Sequence, residues 1–134
     1  MKQFLLDTNI IVFLFRNKYD IDKKIASVGE NNCFISEITL AELKIGAEKS
    51  MQTVHNHYLI NELTKVIQVI PITDAIDTFA KEKISLEKKG TPMHDNFDLL
   101  IAATALTFNY ILVTNNTKHF SHFSDLILED WTQK

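Results

Sequence analysis

Short apolar runs alternate with longer amphipathic segments along the whole chain, and this alternation determines the predicted secondary structure. Runs of about four to eight apolar residues are typical of buried strands, whereas apolar residues spaced three and four apart are typical of helices. The pattern predicts strands at residues 3–6, 33–36, 66–72, 110–114 and 125–128. It predicts helices at residues 8–17, 20–28, 39–50, 52–65, 74–89 and 95–108. Gly29 and Gly90 directly follow two of these helices, as helix-ending glycines do.

Strands that alternate with helices favour an α/β fold, because two parallel strands must be joined by a crossover that is usually helical. We therefore expect a central, mainly parallel sheet of about four to five strands flanked by helices. The helix at residues 95–108 is apolar nearly all round over Leu99–Leu106, which predicts that it is buried.

The predicted helical hairpin at residues 39–65 carries more apolar residues than one crossover needs. These residues either close the core or meet a partner, and an extended or helical peptide is the kind of partner that such a groove accepts. The apolar positions are Leu43, Ile45, Val54, Tyr58, Leu59 and Leu63.

Length and composition indicate one globular domain over residues 1–134. The single cysteine, Cys33, cannot form an internal disulfide, and its apolar surroundings predict a buried thiol. No signal peptide is visible, and the run Ile10–Phe15 is too short to span a bilayer. We expect a soluble cytoplasmic protein with no membrane segment.

The net charge of -3 is unusual for a nucleic-acid binder, which commonly carries a basic surface. Either the acids are concentrated in a site and basic patches lie elsewhere, or the lysines belong to ordinary solvated helix faces. The candidate basic positions are Lys44, Lys49, Lys81, Lys83, Lys88, Lys89 and Lys118.

Three acids on separate segments are the main candidates for chemistry. Asp7 follows the first predicted strand, Glu42 lies in the helix after the second, and Asp98 lies in the first turn of the buried helix. Side chains at the carboxyl ends of parallel strands converge, and carboxylates brought together there repel one another unless a cation lies between them. Oxygen ligands of this kind suit Mg²⁺, with Mn²⁺ as the other possibility.

Each of these acids also has a purely structural interpretation. Asp7, Thr8 and Asn9 are all helix-capping residues, and Thr39 with Glu42 matches the spacing of a capping box. Acids in the first turn of a helix, like Asp95 and Asp98, are stabilised by the helix dipole. Ser36 and Thr39 either cap a helix or hydrogen-bond a metal-bound water.

Further polar residues follow the fourth predicted strand. Thr114, Asn115 and Asn116 form either a simple asparagine-rich turn or an additional part of a site at the same sheet edge. The five histidines lack the spacing of a zinc site, and we interpret them as surface residues. His94 and His119 are the closest of them in sequence to the candidate site.

Other enzyme classes lack their required parts. The chain has no glycine-rich dinucleotide motif, no P-loop and no serine nucleophile elbow. A phosphatase would need an aspartate at Asn9, and a phospho-receiver domain would need its acceptor after the third strand, where Asp74 is better explained as a helix cap.

Several motifs, taken in order, resemble those of PIN-domain proteins. The segments are Leu5–Ile11, Ser36–Leu43 and Asp98–Ala105. The segments Leu112–Asn116 and Leu128–Trp131 resemble the VapC-type toxins of that family. The resemblance extends over essentially the whole chain.

The resemblance implies a PIN-like three-layer fold and a metal-dependent endoribonuclease that acts on RNA, usually dimeric and paired with a small antitoxin protein of the VapB type. It implies that Asp7, Glu42 and Asp98 bind the metal, supported by Thr8, Asn9, Ser36 and Thr114. Many family members carry a fourth acid after the fourth strand, where this chain has Asn115 and Asn116. An amide, a water or Asp95 is expected to replace it.

This departure leaves a second function possible. A PIN-like fold without a complete metal site is expected to serve as a catalytically silent scaffold that binds RNA or protein. Metal-dependent cleavage of RNA distinguishes the enzyme from the scaffold.

Overall fold

Five parallel strands form one sheet at the centre of the computed structural model, which describes residues 2–133. The strands are β1 (Phe4–Leu6), β2 (Cys33–Ser36), β3 (Gln68–Ile70), β4 (Ile111–Val113) and β5 (Leu128–Glu129). Their order in the sheet is β3-β2-β1-β4-β5, and every neighbouring pair is parallel. The expected α/β class and parallel sheet are confirmed.

Six α-helices connect these strands within the described residues. They are α1 (Thr8–Phe15), α2 (Ile21–Val28), α3 (Glu37–Lys49), α4 (Thr53–Val66), α5 (Ile76–Lys88) and α6 (Asn96–Phe108). Within residues 2–133 no helix combines the length and apolar character needed to cross a membrane.

The alternation of side chains along each strand divides the core into two layers. In β1, Phe4 and Leu6 face a cluster that includes the buried sides of α1 to α4, whereas Leu5 faces a cluster built largely on α5 and α6. Helix α6 is buried over most of its length, as its sequence predicts. The molecule is therefore a three-layer α/β/α structure.

The order of the strands places a binding crevice beside β1. The chain runs from β1 outward to β2 and β3, and then returns to the other side of β1 to form β4. Adjacent helices diverge at such a reversal of strand order, and ligands of open α/β sheets bind there. Asp7 and Thr114 are the first residues after β1 and β4 and therefore lie at this crevice.

Several predicted boundaries are wrong, and each has a physical reason. β3 is shorter than residues 66–72 because Val66 still belongs to α4 and Pro71 has no N–H to pair. The fifth strand is Leu128–Glu129 instead of residues 125–128, because Leu126 packs into the core before pairing begins.

Helix α3 begins earlier than predicted. Ser36 caps it by accepting the N–H of Ile38 at 3.0 Å, so Thr39 lies inside the helix and the capping box expected between Thr39 and Glu42 does not form. The structural explanation offered for Glu42 is therefore wrong.

The apolar residues of the α3–α4 hairpin divide between core and surface. Leu43 and Leu63 are buried, and Leu59 is half-buried. Ile45, Val54 and Tyr58 are exposed, with 86% of Val54 accessible. The surplus apolar surface is thus only partly used by the fold.

The thiol of Cys33 is buried, as predicted.

Candidate active site

The three candidate acids line one cavity at the crevice beside β1. We call it the acidic cavity, and its volume is about 210 Å³. Asp7 arrives from the end of β1, Glu42 from α3 and Asp98 from the first turn of α6. Its lining is Asp7, Thr8, Asn9, Glu42, Asp95, Asp98, Asn116 and Phe120. The fold therefore brings together residues that are far apart in sequence.

Asp7 is buried and held on both carboxylate oxygens. Its Oδ1 accepts the backbone N–H of Thr8 at 2.8 Å, which caps α1, and its Oδ2 accepts the Thr114 hydroxyl at 2.9 Å. Burial raises the pKa of Asp7 more than these two hydrogen bonds lower it. Capping and participation in the site are thus compatible roles for this residue.

Glu42 is positioned by α1. The hydroxyl of Thr8 donates to Glu42 Oε1 at 2.6 Å. The same Thr8 hydroxyl oxygen lies 3.1 Å from the hydroxyl oxygen of Thr39. Burial is the main cause of a raised pKa for Glu42, and the charges of Asp7 and Asp95 add to it. Thr39 is fully buried and supports the site from behind instead of capping the helix.

Asp98 is paired with a histidine that the sequence reasoning placed on the surface. His119 Nε2 lies 2.9 Å from Asp98 Oδ2, and their side chains are 35% and 24% exposed. Burial and the neighbouring charges of Asp7 and Asp95 raise the pKa of Asp98 to about 6, although His119 acts in the opposite direction. The interpretation of His119 as a simple surface residue is wrong.

Asp95 caps α6 and lines the acidic cavity. Its Oδ1 caps α6 by accepting the N–H groups of Phe97 and Asp98 at 3.0 and 3.2 Å. It also lines the acidic cavity together with Asn116. The replacement of the fourth acid by Asp95 or by an amide stays a prediction, and both Asp95 and Asn116 line the cavity where it would apply.

The other predicted supporting residues are outside the lining. Ser36 caps α3, and Thr114 holds Asp7 while accepting the N–H of Asn116 at 3.1 Å. Asn115 lies beside Asn9, with Asn9 Nδ2 3.5 Å from Asn115 Oδ1. Phe120 and His119 are the site residues that the sequence reasoning missed.

The donor set of this cavity fits a hard divalent cation. Asp7 is buried, Glu42 and Asp98 are partly buried, and no lysine or arginine is among the residues that line the cavity. The raised pKa values of three acids show that their negative charges are poorly compensated. Within residues 2–133, no group of three His, Cys, Asp or Glu side chains is already arranged to hold a metal ion.

A second depression begins at the other side of the acidic cavity. We call it the helical groove. It has a volume of about 360 Å³, lies among α1, α3 and α4, and shares Thr8 and Glu42 with the acidic cavity. Val12, Phe15 and Leu59 give it apolar walls.

Comparison with known proteins identifies the family. The model of the PIN domain family matches residues 4–126. The chain is 35% identical over 133 residues to the tRNA(fMet)-specific endonuclease VapC of Shigella flexneri, covering 98% of this chain and 100% of the relative. It is also 35% identical over 133 residues to ribonuclease VapC1 of Haemophilus influenzae, covering 97% and 98% of the two chains.

Solved structures agree with this result. A chain of the DNA-bound VapBC from Salmonella typhimurium superposes with a TM-score of 0.89 at 32% identity, covering 98% of this chain and 99% of that one. A chain of VapBC2 from Rickettsia felis, bound to a DNA fragment from their promoter, gives a TM-score of 0.87 at 33% identity and covers 96% and 98%. The chain therefore belongs to the PIN-domain family and, within it, to the VapC ribonucleases.

Proposed function

We propose that this chain is a Mg²⁺-dependent endoribonuclease and the toxin of a toxin–antitoxin pair, acting on structured RNA such as tRNA. The observation that carries this proposal is the acidic cavity, where Asp7, Glu42 and Asp98 converge from separate elements. Membership of the VapC ribonucleases supports RNA as the substrate. The tRNA specificity named for the Shigella flexneri relative supports tRNA as the first substrate to test.

Asp7, Glu42 and Asp98 would hold the metal ion, with Asp95 and Asn116 available as further oxygen donors. A bound Mg²⁺ or Mn²⁺ supplies Lewis acidity, which acidifies a coordinated water and neutralises charge on a phosphate. The chain's own contribution is to fix the donors in place. Thr8 and Thr114 donate hydrogen bonds to Glu42 and Asp7, which orients both carboxylates toward the same cavity.

His119 has a separate positioning role. By pairing with Asp98 it holds that carboxylate at the start of α6 and partly offsets its charge. A metal ion would be held by the same Asp98 carboxylate that His119 contacts, so His119 would orient this ligand from the protein side. Both oxygens of Asp7 accept hydrogen bonds, from the Thr8 backbone N–H and the Thr114 hydroxyl, which fix the carboxylate at the cavity.

The proposal is tested by incubating purified, antitoxin-free protein with a pool of tRNA and ribosomal RNA. Mg²⁺, Mn²⁺ and a chelator are compared, and Asp7→Asn protein serves as the inactive reference. We expect discrete products with either metal, none with chelator and none from the variant. Folded protein that cuts no RNA under any of these metals would contradict the nuclease and favour the silent scaffold.

We also propose that the antitoxin partner occupies the helical groove. The groove has apolar walls suited to a peptide and opens into the acidic cavity at Thr8 and Glu42. A cationic side chain of that peptide, such as an arginine, would compensate the carboxylates and exclude the metal. The exposed apolar residues Val54 and Tyr58 on α4 extend the surface that a partner can cover.

Gly46 permits a direct test of this groove. It lines the groove within α3, and a Cβ atom added there meets no other atom within 4 Å. Gly46→Leu is expected to fill the groove, keep the helix stable and weaken antitoxin binding at least about tenfold. Binding is measured by titration calorimetry with the cognate antitoxin, and growth of cells producing both proteins provides a second readout.

Ala41→Leu is the matched control, since Ala41 is exposed on the same helix and does not line the groove. Gly46→Ala is the mild variant and should bind nearly normally. Antitoxin that binds and neutralises Gly46→Leu protein as well as it does Ala41→Leu protein would place the partner elsewhere.

A homodimer is the assembly that we propose for the free protein. Ile76 and Ile84 lie on one face of α5, eight residues apart, and each is 48% exposed. Light scattering is expected to give twice the chain mass of 15.4 kDa. A mass of one chain at micromolar concentration would contradict this proposal.

A further inference from the structure

A larger cavity adjoins the acidic cavity on the side of His119. We call it the histidine cavity; its volume is about 610 Å³, within the range of about 300–1,000 Å³ that ligand sites occupy. It lies between the loop at residues 91–95 and the segment at residues 116–123. Leu86, Met93 and Phe123 are buried residues that form its apolar floor, whereas His94, Lys118 and His122 are exposed residues of its polar rim.

The two cavities share part of their walls. Asp95 and Asn116 line both of them. His119 lines the histidine cavity while its Nε2 contacts Asp98, a residue of the acidic cavity. A ligand that extends from one cavity into the other would therefore pass Asp95, Asn116 and His119.

The two cavities differ in charge. The acidic cavity contains four carboxylates, whereas Asp95 is the only acid among the residues that line the histidine cavity. The latter instead presents Lys118 and three histidines, two of them exposed. One cationic group and three imidazole rings therefore lie directly beside the acids of the candidate reaction centre.

The shape and composition match a nucleotide better than a metal or a peptide. An apolar floor with imidazole rings at its rim suits a base, because unpaired RNA bases are bound by stacking on aromatic and histidine side chains. A lysine at the same rim suits a phosphate. The helical groove has apolar walls and shares no lining residue with the histidine cavity.

We propose that the histidine cavity binds the nucleotide next to the scissile phosphodiester. Its base rests on Met93 and Phe123 between the rings of His94 and His122, and Lys118 contacts its far phosphate. This assignment rests on the proposed function in one respect: the nuclease function places the scissile bond at the acidic cavity. The binding itself is independent of cleavage. Since the histidine cavity and the helical groove share no lining residue, RNA and antitoxin then compete only at the acidic cavity.

Binding is measured on protein carrying Asp7→Asn, with chelator present, so that no RNA is cut. The probes are a fluorescein-labelled oligouridylate and a ribose-phosphate oligomer of equal length that lacks bases, and anisotropy reports the affinities. We expect the oligouridylate to bind about tenfold more tightly than the abasic probe, since one base is stacked. His94→Ala combined with His122→Ala is expected to remove most of this preference.

Lys118→Ala separates the phosphate contact from the base contact. It is expected to weaken both probes equally and to lower the slope of log affinity against log salt by about one. The control variants are His55→Ala with His57→Ala, and Lys24→Ala, because none of these residues lines the histidine cavity. All substituted positions of the cavity rim are exposed, so thermal unfolding should be unchanged.

Equal binding of the two probes by the Asp7→Asn protein would overturn the inference. So would a preference for bases that survives the double histidine substitution. The cleavage assay on wild-type protein decides the nuclease separately. Base-dependent binding without metal-dependent cleavage rejects the enzyme and leaves the nucleotide site standing, whereas cleavage without base-dependent binding rejects only the nucleotide site.

Discussion

Replacing Asp98 with asparagine is expected to slow RNA cleavage by more than about a hundredfold while leaving the fold intact. Loss of a residue that merely supports a metal ligand typically costs about 10–100-fold, and Asp98 is placed among the ligands themselves. The asparagine side chain has the same shape as that of aspartate, and its amide oxygen can still accept the N–H of His119. The substitution therefore removes only the negative charge of the carboxylate. The measurement is the rate of cleavage of the RNA found in the pool assay, at saturating Mg²⁺, beside a thermal unfolding curve.

Asp77→Asn is the matched control, because Asp77 is an exposed acid in the first turn of another helix, α5. It should cut RNA at the wild-type rate. Asp98→Asn protein that cleaves as fast as this control would remove Asp98 from the reaction centre. Protein that no longer unfolds cooperatively would show that Asp98 serves the fold instead.

The parts of the fold that the sequence predicts well are those set by local burial. β1, β2 and β4 are apolar runs next to polar strand ends, and each appears within about one residue of its predicted place. Helix α6 is equally clear, because an apolar segment of that length has no stable alternative to burial. The positions of these elements are predictable because they depend mainly on the local sequence and little on contacts between distant residues.

Boundaries are less predictable where neighbouring residues have equal local preferences. Ser36 and Thr39 are both capping residues, three positions apart, and only the end of β2 at Ser36 decides which one caps α3. Thr39 is then one turn inside the helix and available to contact Thr8 from α1. The choice depends on where the sheet ends, which is a tertiary property.

The acids of the candidate site were predictable because topology brings the ends of parallel strands together. The contact of His119 with Asp98 was not predictable, because nothing in the sequence indicates that the segment after β4 returns to the first turn of α6. The histidine cavity depends on the same return, combined with the loop at residues 91–95. Its residues have no motif in sequence and become a site only in three dimensions.

Acidification from about pH 7 to about pH 5 is expected to stabilise the metal-free protein by about 1–2 kcal/mol. The pKa of Asp98 is raised from its usual value near 3.8 to about 6, chiefly by burial, so folding favours the protonated form. The folded state therefore binds more protons than the unfolded state between about pH 4 and pH 6, and stability falls as the pH rises through this window. The raised pKa values of Asp7 and Glu42 act in the same direction.

Urea unfolding at a series of pH values, with chelator present, measures this effect. In Asp98→Asn protein the gain on acidification should shrink by at least half, and at pH 7 the variant should be as stable as the wild type or more stable. The difference between the two proteins isolates Asp98 together with its partner His119, since all other titrating groups are shared. A wild-type protein that loses stability over this range, or a variant with the same pH dependence, would mean that the acids of the cavity are not under electrostatic strain. Saturating Mg²⁺ should stabilise the wild type at pH 7 and have little effect at pH 5, because protons and the cation compete for the same carboxylates.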